Sequence, residues 1–473
     1  MIQIEILSNI LFVLALGYYF MTNMQWYSYK LERVIFHHTK SWWHITYFIV
    51  PLLGYFFLSK LNLSIIVTVV YIGMLYKWRA KQDKPLVFTG RVKRFFASLV
   101  FFIALTVMLT TGMEYGSYAV LIPILLSYLI SMMMEAMLFR GFQVKAEKKL
   151  ESMENMTVVG ITASYGKTSI KNYIAHILSA KYKAYPTPRS VNTFGGVLKD
   201  INDDLPTDTE VYVVEMGARG KGDIKEISEF VNPHLVVVGK IGPAHIEYFG
   251  NLENIRNTKM EILSSDRLQE AWVHDSAMVK PEKIVHSFGK EISNIRATLD
   301  GLDFEMDGEE YHVNILGSFN AMNIAVSIKV AKALGMDDET IKKQLETLKP
   351  TAHRLQRMDA GGKVIIDDSF NGNIDGMLEG FNLASTYEGR KVLITPGLVE
   401  VDDEFNVQVA QRANEVFDLV VVTGDLNYRI FRDHVDESKL VKLESKDKMQ
   451  EMLVEETRAG DLILFANDAP SFI

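Results

Sequence analysis

The chain has 473 residues, too long for one ordinary domain and about the length of three. Hydrophobic residues make up 48% and charged residues 23%, which excludes both a disordered chain and a membrane protein throughout. The formal net charge of -8 argues against nucleic acid as a partner. The absence of Cys excludes a disulfide framework, a Cys zinc site, an iron–sulfur cluster and thiol catalysis, and fits a reducing compartment.

Residues 1 to about 140 are almost all apolar and aromatic with basic connectors, and from about 150 onward the chain reads as α/β. A bilayer core takes ~20 helical residues, with a lower limit near ~17. Expected spans are Ile4–Met21, Trp43–Leu58, Leu63–Tyr76, Phe95–Thr111 and Tyr118–Leu138; the second and third are short, so the count of five carries a margin of one. Lys30, Arg33 and Lys40 follow the first span. Lys77 to Arg94 follow the third, and Arg140 to Lys149 the fifth, while the alternate connectors hold only Lys60 and Glu114. All basic connectors share the cytoplasmic side only with an odd number of spans and an outside N-terminus. The acidic start (Glu5) and the lack of a small-residue cleavage site argue against a cleaved signal peptide. Trp26, Trp42, Trp43 and Trp78 near span ends fit interfacial belts. The region is either a plain anchor or a platform that also holds a lipid-linked substrate.

The β-branched run Thr157–Thr162 predicts a buried strand. Ala163, Ser164, Tyr165, Gly166, Lys167, Thr168 and Ser169 follow, and a helix is expected over Ile170–Leu178. Strand, Gly-Lys-Thr loop and helix form the setting of a phosphate-binding loop, in which Lys167 neutralises β/γ-phosphate charge and Thr168 binds Mg²⁺. The strict spacing fails, because Gly160 stands one residue too far upstream. A solvated turn with a surface lysine is the alternative for this segment alone.

Val211–Gly217 reads as a strand ending in the acid Glu215. Leu235–Gly239 reads as another, leading into Ile241-Gly242-Pro243-Ala244-His245, with Thr258-Lys259-Met260 downstream. Then come Gly317-Ser318-Phe319-Asn320-Ala321-Met322-Asn323, His353-Arg354, and Asp367-Asp368-Ser369-Phe370-Asn371-Gly372-Asn373-Ile374-Asp375. These segments, in this order over about 155–465, resemble the Mur ligase family, and most closely its D-alanyl-D-alanine-adding branch.

The resemblance implies ATP-dependent activation of a carboxylate as an acyl phosphate, followed by attack of an amine to give an amide, with ATP and two Mg²⁺ ions. It implies catalytic roles for Lys167, Glu215, His245 and Lys259, with Thr168 and Glu215 on one ion and His245 and Lys259 on the other. A lysine at the last position is often carbamylated in the family, which makes it an oxygen ligand. Ser164 to Ser169, Asn320, Asn323, Arg354 and Asp368 would bind nucleotide: the asparagines at adenine, Arg354 at phosphate, Asp368 at ribose or metal-bound phosphates. Thr187, Asn192, Thr193 and Asn371 would face the substrate. The bland alternatives are helix capping by Ser318 or Asn320, a structural ion pair between Arg354 and Asp368, and solvated charges at Glu215 and Lys259.

Departures from the family pattern are Ala163 for Gly, Tyr165 for Asn, Phe319 for His and Phe370 for Tyr. Ala163 costs little if its φ stays negative. The Lys-Gly-Ser-Arg segment of the D-alanyl-D-alanine branch is missing, which leaves the amine open. Membrane helices stand where the family has its uridine-diphosphate-binding domain, so a lipid-linked carboxylate or growing polymer becomes the expected acceptor.

The expected fold is multi-domain: an N-terminal α-helical transmembrane region (1–150), an α/β P-loop ATPase domain (151–348) and a C-terminal Rossmann-like α/β domain (349–473), with a hinge near Leu345–Ala352. Strands in the last are expected at Lys363–Asp367, Val392–Thr395, Leu419–Thr423 and Leu462–Phe465. Expected partners are the bilayer, a carboxylate acceptor, an amino acid or dipeptide, and cell-wall synthesis proteins. Rival readings are a poly-γ-glutamate-type synthetase, an amidating ligase needing a partner glutaminase, and a nucleotide-binding scaffold without turnover.

Overall fold

The computed structural model describes residues 2–27, 29–36, 38, 40–80, 82, 85–110, 120–244, 246–370, 372–399 and 401–467. Two units emerge, Met1–Val144 and Lys145–Ile473.

The first unit is helical: α1 (Ile2–Trp26), α2 (Leu31–Phe36), α3 (Trp42–Ser59), α4 (Ser64–Ala80), α5 (Gly90–Thr110) and α6, whose range Leu121–Glu151 runs on into the second unit. Its interior is aromatic, with Phe12 stacked on Tyr55 at 4.2 Å between ring centroids. Interior polar groups pair with one another: Ser8 Oγ and Thr68 Oγ1 lie 2.9 Å apart. Pro51 cannot donate a backbone hydrogen bond to Tyr47 four residues back. α3 makes a π-helical turn at Ile45–Ile49, and the Tyr71 hydroxyl of α4 donates to the Tyr47 carbonyl at 2.8 Å.

Among the described residues, four helices are long and apolar enough to cross a membrane: Gln3–Trp26, Trp42–Ser59, Gly90–Thr110 and Leu121–Glu151. The expected count of five carries a margin of one, and four lies within it. The segment Leu63–Tyr76 falls in α4, whose 17 residues rise only about 26 Å. Thr111 and residues 118–119, ends of two expected spans, lie outside the described residues.

The second unit holds two six-stranded sheets. The first contains β1 (Thr157–Thr162), β2 (Ala184–Pro186), β3 (Val211–Glu215), β4 (Leu235–Val238), β5 (Glu270–His274) and β6 (Val285–Phe288), all parallel in the order β2-β3-β1-β4-β5-β6. Side chains alternate across a strand. Val159, Ile161, Val213 and Val237 therefore pack under α7 (Lys167–Leu178), while Val158, Tyr212, Val214 and Val238 pack on the opposite face. A three-stranded antiparallel sheet, β7 (Ile292–Ala297), β8 (Leu302–Met306) and β9 (Glu309–Val313), was not legible as such in the sequence.

The second sheet has the order β10-β11-β15-β12-β13-β14. It comprises β10 (Gln356–Ala360), β11 (Lys363–Asp368), β12 (Lys391–Thr395), β13 (Leu419–Thr423), β14 (Leu440–Leu443) and β15 (Leu462–Ala466), with only the β10 pairing antiparallel. The four strands expected by pattern are present. The additions, β10 and β14, are edge strands with too few consecutive apolar residues to stand out. In such sheets ligands bind beyond the carboxyl ends of the strands, and both β1 and β3 point their ends at one place.

Candidate active site

The loop after β1 is shaped by one glycine. Gly166 precedes α7 with φ +82°, a conformation that L side chains avoid. A Cβ there would stand 2.8 Å from Asn323 Oδ1. Ala163 is not among the positive-φ residues, so its departure from glycine is tolerated. Lys167 folds back over the loop, donating to the Ala163 carbonyl at 2.9 Å and the Ser164 carbonyl at 3.3 Å. Burial pushes its ammonium below the ordinary lysine value, with Glu215 opposing the shift and Arg354 adding to it. Ser164 and Tyr165 tie the loop to the turn after β4. Ser164 Oγ donates to the Gly242 carbonyl at 2.9 Å, and the Tyr165 ring fills the space that a Cβ on Gly242 would need. Burial, and then Asp375, push the Tyr165 hydroxyl up to about 12. Ser169, in the first turn of α7, is buried.

Glu215, at the end of β3, is the hub. Its carboxylate is 1% exposed. It accepts from Thr168 Oγ1 at 2.9 Å and Lys171 Nζ at 3.3 Å on one oxygen, and from Asn192 Nδ2 at 3.0 Å on the other. Its backbone N–H donates to Thr187 Oγ1 at 3.2 Å. Thr187 is buried, and Thr193 accepts from the Gly196 N–H as the N-cap of its helix, so both hydroxyls are engaged within the fold. Lys171 was missed in the sequence. It lies one helical turn beyond Lys167 on the same face of α7, and that spacing was the available signal.

Lys259 is buried near this hub, and its ammonium makes no hydrogen bond among the described residues. Burial, then the charge of Lys167, hold its ammonium down to about 7, with Glu215, Asp223 and Glu261 opposing. His245 and Asn371 lie outside the described residues.

Asn323 reaches the loop, and Asn320 holds it there: Asn323 Nδ2 donates to Asn320 Oδ1 at 3.0 Å, and Asn320 Nδ2 to the Leu316 carbonyl at 2.7 Å. Phe319 is the N-cap residue of that helix (Asn320–Ala333), and no side chain caps it. The Ser318 N–H goes to Glu379 Oε1 at 2.5 Å. Capping by Ser318 or Asn320 is therefore not what these residues do.

Arg354 sits on a strained turn. Its neighbours His353 (φ 61°) and Leu355 (φ 44°) are both left-handed, at a cost of about 1–3 kcal/mol each. The acid pair at the end of β11 holds them. His353 Nδ1 and Asp367 Oδ2 lie 2.7 Å apart, and the Leu355 N–H donates to Asp368 Oδ1 at 3.0 Å. Desolvation lowers the Arg354 guanidinium, opposed by Asp368 and Glu215, so all three share one field. The two sheets are also joined by Lys240 Nζ to Asp375 at 2.8 Å, a pair not anticipated from sequence.

Residues 161–331 match the Mur ligase middle domain. The chain carries a Mur ligase middle domain. Over 333 residues it is 27% identical to the UDP-N-acetylmuramoyl-tripeptide–D-alanyl-D-alanine ligase of Bacillus subtilis, covering 65% of this chain and 72% of that one. The Synechocystis enzyme of the same name is 25% identical over 54% of this chain, which spans only 58% of that relative. Among solved structures, the MurF ligase of Thermotoga maritima in complex with ADP matches at TM-score 0.59 and 26% identity, covering 69% of this chain and 80% of that one. The Acinetobacter baumannii UDP-N-acetylmuramoylalanyl-D-glutamyl-2,6-diaminopimelate–D-alanyl-D-alanyl ligase shares the fold at TM-score 0.62 and 23% identity, covering 69% of this chain and 76% of that one. At family level this is an ATP-dependent ligase forming carbon–nitrogen bonds.

The donor set suits such chemistry. A loop of backbone N–H groups at a helix start, with Lys167 and Arg354 beside it, favours a polyphosphate. Thr168 and Glu215 offer hard oxygen donors of the kind Mg²⁺ takes. Among the described residues no group of three His, Asp or Glu side chains converges, so a cation here would draw its remaining ligands from phosphate oxygens and water.

Proposed function

We propose that this chain is a membrane-anchored, ATP-dependent amide ligase acting on a carboxylate presented at the membrane surface. The observation that carries the ligase chemistry is the convergence of Thr168, Lys171 and Asn192 on the buried Glu215, beside Lys167. Lys167 and Arg354 would hold the γ-phosphoryl group, and Asn323 the nucleotide over the loop. Mg²⁺ would neutralise charge gathering between the triphosphate and the attacking carboxylate. Thr168 and Glu215 would bind one ion; His245 and Lys259 would serve the second. A protonated lysine cannot be a ligand. Lys259, buried and with no hydrogen-bond partner for its ammonium among the described residues, can shed its proton near neutrality and accept CO₂. The acyl phosphate formed on the substrate would then lose phosphate to an incoming amine. Asn192 and Asn371 are the residues proposed to face that substrate.

The membrane reading rests on the apolar helices and on charge. Counting α4 as a crossing puts every basic connector on one side. Omitting it would place Lys77 and Arg79 opposite Lys30 and Arg33. Five crossings, a cytoplasmic catalytic unit and three domains (1–150, 151–348 and 349–473) follow from that reading. The acceptor is proposed to be lipid-linked because helices occupy the first 150 residues.

The test is phosphate release by the full chain in detergent, supplied with ATP, Mg²⁺, amino acids or dipeptides, and a membrane lipid extract, with mass spectrometry of products. Release that requires both acceptor and amine, with a new amide in the lipid fraction, is expected. Efficient ligation of a soluble UDP-linked peptide with none on lipid would overturn the acceptor assignment. Release indifferent to both would overturn the ligase.

A further inference from the structure

The first unit contains a charged cleft that the ligase chemistry does not use. It lies between α5 and α6, holds about 600 Å³, and is lined by Arg91, Arg94, Glu135, Leu138, Phe139 and Phe142. Arg94 is fixed by Glu135, to which both its Nε (3.0 Å) and an Nη donate. Arg91 has no ion pair among the described residues. Its guanidinium lies over the Tyr29 ring, 3.8 Å from the centroid, and Gln25 Nε2 donates to the Tyr29 hydroxyl at 3.2 Å. Two guanidinium groups against one carboxylate leave the cleft net positive.

Depth in the helices matters as much as charge. Arg94 stands 16 residues before the Thr110 end of α5, and Glu135 14 residues after the Leu121 start of α6. These spacings correspond to about 24 and about 21 Å of helix, short of a ~30 Å hydrocarbon core and within reach of its basic boundary. Lipid phosphates lie at that boundary. The rim beyond the charges is apolar: Leu138, Phe139 and Phe142 are all more than 40% exposed.

We propose that this cleft binds the phosphate head of a lipid, with Arg91 as the principal contact, Arg94 beside it, and the Leu138–Phe142 rim against the first methylenes of the chain. Planar guanidinium forks match phosphate oxygens two at a time. Basic pockets between membrane helices at the cytoplasmic face suit such heads. The site rests on the membrane reading above, and would bring a phosphate-bearing lipid onto the same chain as the ligase.

Native mass spectrometry of the full chain in detergent tests it, with dioleoyl phosphatidic acid, dioleoylglycerol and inorganic phosphate as separate probes. Retention of phosphatidic acid alone is expected. Arg91→Gln should lower it about tenfold, the worth of one charge-assisted contact, and Arg91→Lys should recover part. Met137→Gln, at a position 68% exposed, should change nothing. The pair variant R94Q with E135Q removes one charge of each sign, should also lower retention, and serves if Arg91→Gln does not fold. Equal retention by wild type and Arg91→Gln would show annular lipid only and end the proposal. Equal binding of inorganic phosphate would show a free-anion site and end its lipid part. An alkaline carbonate wash separates the two failures. Release of the chain from membranes ends the membrane reading and this site with it; a chain that stays leaves the lipid probes to judge the cleft alone.

Discussion

Phe57, Val69, Phe101 and Met137 face outward in the first unit, each at least 60% exposed. The buried positions of that unit include Ser8, Asn23, Thr68 and Ser127, but no Asp, Glu, Lys or Arg among the described residues. The second unit buries Lys171, Glu215, Lys259, Asp367, Asp368 and Asp461. Under the proposed membrane reading, one chain follows two solvent rules. In water the apolar core is hidden, and charges are buried only where they meet a partner or a task. On that reading, apolar surface exposed to lipid costs little; inside, Ser8 meets Thr68 and Asn23 meets His38, while the Ser127 hydroxyl has no hydrogen-bond partner among the described residues. Glu215, Asp367 and Asp368 stand at the carboxyl ends of β3 and β11, where the proposed chemistry is, whereas Asp461 lies before β15 at the other end of its sheet, paired with Arg390 at 2.9 Å.

The strongest way to break this contrast is at its hub. Glu215→Gln keeps the shape but removes the charge that Thr168, Lys171 and Asn192 surround. Acceptor-dependent phosphate release should fall by about 10³-fold, the scale of losing one electrostatic element of a preorganised site. Lys171, fully buried, would then lack its counter-charge, so the melting temperature should fall as well. Activity within tenfold of wild type would make Glu215 a structural acid and dissolve the distinction between the two interiors.

The exterior can be tested by one substitution in each unit. Val70→Lys, on α4, should disfavour membrane insertion by about 2.5–3.5 kcal/mol, read as the inserted fraction of a reporter fusion. Val454→Lys, at a position 76% exposed in the second unit, should shift stability by less than about 0.5 kcal/mol. Similar small effects at both would mean that α4 faces water. Gly166→Ala probes the loop instead. A methyl group at φ +82°, pressed against Asn323, should cost about 2 kcal/mol. The expected loss is in ATP affinity by titration calorimetry, and unchanged affinity would mean that the loop does not hold the phosphates.

Much of this was legible before any coordinates. The β-branched run of β1, the Gly-Lys-Thr loop and the acid at the end of β3 are local patterns, and each marks its own place. What stayed hidden depends on partners far apart in sequence. Lys171 looks like one more helical lysine until β3 brings Glu215 against it. Lys240 and Asp375 are ordinary charges until the two sheets meet. Asp368, expected at the ribose or the metal-bound phosphates, also accepts the Leu355 N–H through Oδ1, a consequence of the left-handed turn at His353 and Leu355. The long apolar helices were visible by composition, and α4, with 17 residues, sits at the margin of a span.

Lys259 gives the finest test, because its behaviour depends on pH rather than on a substitution. The unfolded chain holds this proton up to its ordinary value of 10.5, whereas the folded site releases it at about 7. Between those values the unfolded state binds more protons, so this group makes stability rise with pH from about 7 upward. Below about 7 both states are protonated and its contribution is flat. Only the neutral amine reacts with CO₂, and its fraction changes roughly tenfold between one unit below that pKa and one unit above. Ligase activity should therefore rise by about that factor between pH 6 and 8, with bicarbonate steepening the rise. A ¹³C carbamate resonance should grow in parallel and vanish in Lys259→Arg. A profile that is flat over this range, with no carbamate signal, would leave Lys259 as a buried cation and return the second metal position to His245 alone.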